Sequence, residues 1–224
     1  MEAKQKRAAI NGALAFIVLW MASLACSRSY EDNVDPTMIA PQDLSNVDLS
    51  WSYLEYLDLS NKNISGANFS HSHLDNANFA NSNCRGAKFD QAVFLDANFS
   101  GVTLDKKWAL IIDVLTSGGG ANKNLVGYDF SNTYLVEYDF SGANLRGADF
   151  QNANLGGADF SKADLSYATL SNAELDDAKF SGADLSHADL TNTNIDSQQL
   201  KDAVLFCTKL PFAITYDEKP CNGG

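Results

Sequence analysis

The sequence predicts a solenoid: a narrow square coil that turns a corner every five residues. Residues 141–180, SGANLRGADFQNANLGGADFSKADLSYATLSNAELDDAKF, carry Leu or Phe at every fifth position. Ala stands two residues before each of them, and the remaining three positions are filled mostly by Asp, Asn, Ser, Gly and Lys. A period of five fits neither a helix at 3.6 residues per turn nor a flat strand alternating at 2. It suits a chain in which two positions of each five point inward and three point out. The inward pair alternates large and small, which fills a narrow cross-section at interior density. The outward residues tolerate turns and solvent.

The chain has 224 residues, and its first 25 lie outside this pattern. Lys4, Lys6 and Arg7 make a positive start, and residues 8–25, AAINGALAFIVLWMASLA, carry no charge. The segment reads as an apolar export or anchor helix. Ser23 and Ala25 are small, as an export peptidase requires, so residues 1–25 read as a signal peptide. An uncleaved membrane anchor fits the same run. A third fate is a lipid on Cys26, because SLAC is similar to a lipoprotein signal. All three place the folded part outside the cytoplasm. Residues 26–41 read as a tether.

Two blocks of repeats follow. The first, residues 42–104, has apolar centres at Leu44, Leu49, Leu54 and onward every five residues to Leu104. In it Val47, Ser52, Leu57, Lys62 and Ser72 stand where Ala is expected, and Lys62 is the poorest fit to an inward position. The second block, residues 125–205, runs from Leu125 to Ile195 without a slip, then less regularly through SQQLKDAVL. Leu104 and Leu125 are 21 residues apart, so the register is reset between the blocks. In residues 105–124, Trp108, Ile111, Ile112 and Leu115 form one helical stripe. Asp105 is placed to cap the helix, and Gly118, Gly119 and Gly120 to end it. The stripe has two readings: packing against the repeats beside it, or a docking knob for a partner. Residues 206–224 read as a C-terminal cap over the apolar end of the last coil.

The phrases GADL, GANL and KADL resemble the pentapeptide-repeat family, and the resemblance covers about residues 42–205. It implies an all-β fold, a right-handed quadrilateral parallel β-helix with four pentapeptides per coil and about seven coils in all. With a coil of four repeats, Phe140, Phe160 and Phe180 fall on one wall and Phe130 and Phe150 on the opposite one. Each set is then a stack of rings. The insert LDKKWALIIDVLTSGGGANKNLVGYDF resembles one found in cyanobacterial members.

The chemistry is sparse. The formal net charge is −12, which disfavours binding to a phosphate backbone, so no nucleic-acid partner is expected. Cys207 and Cys221 bound the tail and read as a disulfide in an exported chain. Cys84 occupies a centre and reads as a buried thiol. His71 and His73 form H-S-H on outward positions; two imidazoles can share a metal, but a zinc site needs further ligands, and no metal or cofactor is expected. His187 stands alone and outward. Asp129, Asp149 and Asp189 recur on one face and Asp139 and Asp159 on another, where they would bind a cation, mimic DNA phosphates or simply solvate the surface. No catalytic residues are expected: no Ser-His-Asp arrangement or glycine-rich phosphate loop is present. The composite expectation is a non-enzymatic exported protein. It would act as a protein-binding or spacer module at the outer face of a membrane, in a periplasm or a thylakoid lumen. The alternative is a DNA-mimicking topoisomerase inhibitor.

Overall fold

The structure is a computed structural model and describes residues 43–117, 119–212 and 214. The segments 1–25 and 26–41, Cys26, Cys221 and most of the cap lie outside the described residues. The chain forms two compact units, Met1–Trp108 and Ala109–Gly224.

Each pentapeptide folds the same way, and the reason is local. The residue three after an apolar centre donates its N–H back to the centre's carbonyl, as from Ala148 to Leu145 at 2.9 Å and from Ala67 to Ile64 at 3.2 Å. This closes a β-turn. Its second turn residue has positive φ, from 54° at Gln91 to 72° at Gly86 across the coils. One positive φ at that position makes the turn type II, which Gly and Asn adopt at least cost. Gly66, Gly142 and Gly157 stand there, as do Asn61, Asn132 and Asn172.

Four such turns close one coil. Parallel bridges join residues 20 apart, giving the columns Asp43–Asn63–Asn83–Thr103 in the first unit and Asp129–Asp149–Thr169–Asp189–Lys209 in the second. Backbone bonds flank each bridge: Phe130 N–H donates to Asp149 O at 2.7 Å, and Asp149 N–H donates to Tyr128 O at 2.9 Å. The architecture is therefore a four-sided parallel β-helix whose strands are single bridging residues.

The inward assignment accounts for the core. The Leu and Phe centres are buried, apart from the half-buried Phe94 and Leu104, with the Ala residues of the second block beside them. Phe140 stacks on Phe160 at 5.3 Å and Phe160 on Phe180 at 5.3 Å; Phe130 stacks on Phe150 at 5.0 Å. The two walls also meet in the middle, where Phe140 and Phe150 make an edge contact at 5.9 Å. The first unit repeats this with Phe69 on Phe89 at 5.3 Å and Phe79 on Phe99 at 4.8 Å. Lys62, at 9 % exposure, keeps its inward position. At Ser72 and Ser82, which replace the small Ala, the buried hydroxyl donates to the centre carbonyl three residues back: Ser72 to Phe69 and Ser82 to Phe79, both 2.6 Å. A buried hydroxyl so paired costs little.

The insert contains one helix, α1, Lys106–Thr116. Its start is not capped by Asp105. That carboxylate instead accepts from Gly86 N–H at 2.8 Å, 19 residues earlier, because the coil beneath offers it a free turn amide. Gly120 does more than end the helix. It is buried in phase with the centres that follow and donates to Asp139 O at 2.8 Å. A Cβ there would lie 2.3 Å from Phe140 Cδ1, so glycine makes room for the first ring of the column.

After Ile195 the regular bridging lapses and a side chain replaces it. Gln199 Nε2 donates to Leu175 O at 2.7 Å and Ala178 O at 2.8 Å, and Asn194 Oδ1 accepts from Leu175 N–H at 2.6 Å. Bridges resume at Asp184–Val204 and Asp189–Lys209.

Candidate functional site

The carboxylates that recur along the faces are committed to the turns. An Asp or Asn directly before the centre accepts the N–H two residues on, as in Asp43 from Ser45 at 2.8 Å, Asp139 from Ser141 at 2.9 Å and Asp159 from Ser161 at 2.8 Å. This is the Asx-turn, which satisfies a turn amide that no strand reaches. Amides also link coils: Asn63 Nδ2 donates to Asp43 Oδ1 at 3.1 Å, and Asn83 Nδ2 to Asn63 Oδ1 at 3.0 Å. Hydrogen bonds from Ser50 hold Asp48 below the usual carboxylate range, and those from Ser161 do the same for Asp159. At Asp189 burial pushes the carboxyl up, but Thr191 and Lys209 outweigh it and the net shift is downward. Lys209 Nζ lies 2.9 Å from Asp189 Oδ2. The aspartate columns expected from sequence do form, yet each carboxylate is first a structural acceptor.

The face that the structure distinguishes is aromatic and lies on the first unit. Trp51, Tyr53 and Tyr56 are each 70 % exposed. Trp51 and Tyr56 occupy the left-handed turn position, at φ 58° and 63°. The next coil lays histidines on this row: His71 stacks on Trp51 at 4.0 Å and 10°, and His73 stacks on Tyr53 at 4.8 Å and 16°. The H-S-H pair is thus divided between two aromatic partners. A related column runs up the second unit, with Arg146 over Tyr167 at 4.6 Å and Tyr167 on His187 at 4.6 Å. His187, expected to stand alone, also meets Phe206 edge-on at 5.4 Å. The reading of the sequence missed these pairs. Their signal is an aromatic or His recurring 20 residues apart on outward positions: 51 with 71, 53 with 73, 167 with 187.

The remaining candidates resolve differently. Trp108, Ile111 and Ile112 are buried at 6 %, 1 % and 6 % exposure, with Val114 beside them, while Leu115 is half-buried. Trp108 meets Phe89 edge-on at 5.4 Å. A docking knob needs those side chains outside; with three of the four buried, the stripe fits the packing reading better than the docking one. Burial pushes the Cys84 thiol up to about 11, against a smaller opposing effect from Ser82, so it is a poor nucleophile. Cys207 is engaged and not a free thiol, but its expected partner Cys221 lies outside the described residues. Among the described residues no helix is long and apolar enough to cross a membrane.

Solved structures resemble the fold. QnrB1, a plasmid-mediated fluoroquinolone resistance protein, is 22 % identical, with 75 % of this chain and 77 % of that one covered and a TM-score of 0.35. HetL, involved in heterocyst differentiation regulation in the cyanobacterium Nostoc, is 20 % identical over 75 % of this chain and 82 % of that one, with a TM-score of 0.29. A pentapeptide repeat protein of the Arabidopsis thaliana thylakoid lumen is 30 % identical over 40 % of this chain and 62 % of that one, with a TM-score of 0.21. No curated protein matches the sequence. The family model for pentapeptide repeats matches in 8 copies over residues 43–79, 72–106, 124–161 and 158–195, and with the type II turns and the four-sided coil this places the chain in the pentapeptide-repeat family.

Proposed function

We propose that the chain is an exported, non-enzymatic protein-binding module whose contact surface is the Trp51–Tyr53–Tyr56 row. One observation carries this reading. The second turn position of the regular repeats takes positive φ, where Asn or Gly is cheapest and a bulky side chain costs about 1–2 kcal/mol. At two successive corners the chain places Trp51 and Tyr56 there instead, with most of each ring in solvent. The stack of His71 on Trp51 offsets only part of that cost, and exposed Trp and Tyr are the residues that anchor protein interfaces. A photo-cross-linking side chain at position 53 in the native host tests the reading. The expected outcome is a discrete protein adduct from position 53 and none from position 146 of the second unit. Equal capture at both positions would defeat it.

Export rests on residues 1–25, and a reporter fused after residue 41 tests it by fractionation. A soluble cytoplasmic reporter would remove the compartment from the proposal. The same compartment supports a Cys207–Cys221 bridge that ties down the cap, checked by mass analysis of non-reduced peptides. A second reading, a DNA-mimicking topoisomerase inhibitor, is favoured by the stacked pairs Asp129–Asp149 and Asp139–Asp159. Inhibition of gyrase supercoiling by the purified chain would move that reading to first place.

A further inference from the structure

The geometry points to a divalent transition-metal site on the first unit, built by Glu55, His73 and Asp75. One ligand atom from each of the three lies within 4.8 Å of the other two. Coil stacking creates the group. Glu55 and Asp75 follow the centres Leu54 and Leu74 one coil apart, and His73 precedes Leu74 on the same wall, bridged to Tyr53. All three side chains are half-buried.

Two of the three are also held by a neighbour in the manner of metal ligands. The His73 ring lies flat on Tyr53 at 4.8 Å, which fixes its plane and leaves the ring nitrogens at the edge. Asp75 Oδ1 accepts from Leu95 N–H at 2.8 Å, which fixes the carboxylate and leaves Oδ2 to coordinate. Such outer hydrogen bonds orient ligating groups and tune their basicity. The two stacked carboxylates repel each other, and among the described residues no Lys or Arg forms an ion pair with either. A dication between them removes that repulsion.

The donor set selects the ion. One neutral imidazole and two carboxylates suit a borderline cation of the Zn²⁺ class and leave a fourth position open to water or to an outside donor. The spacing of His71 and His73 alone lacks these ligands; the neighbouring coil supplies Glu55, and Asp75 completes the set. His71 takes no part, because the ligand atoms that come together are those of Glu55, His73 and Asp75. The site does not depend on the binding reading above.

Titration of the full chain with Zn²⁺, followed by calorimetry and by histidine ring resonances, tests the site. The expected result is one saturable site that shifts the His73 resonances. Affinity falls at least about tenfold in His73→Ala and in Glu55→Gln, since even outer-shell changes cost that much. His71→Ala leaves affinity unchanged. The near-isosteric Glu55→Gln keeps the test valid if His73→Ala loosens the coil. Absence of saturable binding at millimolar Zn²⁺, or binding that both variants leave intact, would overturn the assignment.

Discussion

A single backbone requirement explains much of what individual residues do. Each regular turn holds one residue at positive φ, and the side chain there is then free to point outward. Replacing Trp51, at φ 58°, by Asn relaxes the backbone but forfeits the stack on His71 at 4.0 Å. The backbone gain of about 1–2 kcal/mol exceeds an exposed ring contact of about 0.5–1 kcal/mol. Trp51→Asn is therefore expected to raise stability in a denaturant melt by up to about 1 kcal/mol while weakening partner contact. Gly120 shows the opposite constraint, of space and not of φ. Its substituent would lie 2.3 Å from Cδ1 and 2.7 Å from Cε1 of Phe140. Gly120→Ala is expected to cost about 1–3 kcal/mol in the same measurement.

The unit of cohesion is the coil against its neighbour. Phe140 stacks on Phe160 and meets Phe130 edge-on at 5.7 Å and Phe150 at 5.9 Å, so it links both walls of the interior. Phe140→Ala is expected to cost about 3–5 kcal/mol, since a narrow coil cannot collapse onto the cavity. Loss of amide protection in the coils holding residues 130–160 would register it. Gln199 is the corresponding polar link where bridging lapses. Gln199→Ala leaves the carbonyls of Leu175 and Ala178 without their donor and is expected to cost about 1–3 kcal/mol. Gln199→Glu, which keeps the shape but loses the donor, should cost at least as much.

Acid stability belongs to the whole chain, because the same carboxylate role recurs throughout both units. A net charge of −12 suggests that acid relieves self-repulsion and stabilises the fold. The turn bonds argue the reverse. Serine hydrogen bonds hold Asp48 and Asp159 below their ordinary value of 3.8 in the folded state. A carboxyl with a depressed folded pKa contributes stability above its unfolded value, and that contribution is lost as pH falls through the folded one. The melting temperature is thus expected to be flat from pH 7 to about 5 and to fall below about pH 4. A melting temperature that rises on that descent would show that repulsion dominates.

The sequence by itself determined the coil. A five-residue period fixes which two side chains are buried, and the four-repeat coil that the family resemblance implies then sets Phe140, Phe160 and Phe180 in one column. Burial imposes a regular pattern, so it is legible from one strand of text. The sequence also marked α1 and admitted packing of its stripe, though not that Gly120 begins the next column. Outward positions obey no packing rule, and their identities carry no local signal of what they touch. Only the stacking of coils brings residues 20 apart into contact. That stacking put His71 on Trp51, handed the Asp105 carboxylate to Gly86 instead of the helix start, and gathered Glu55, His73 and Asp75 around one point. A partner one coil away is invisible in the local phrase, because the turn fixes where a side chain leaves the backbone and the neighbouring coil decides what it meets.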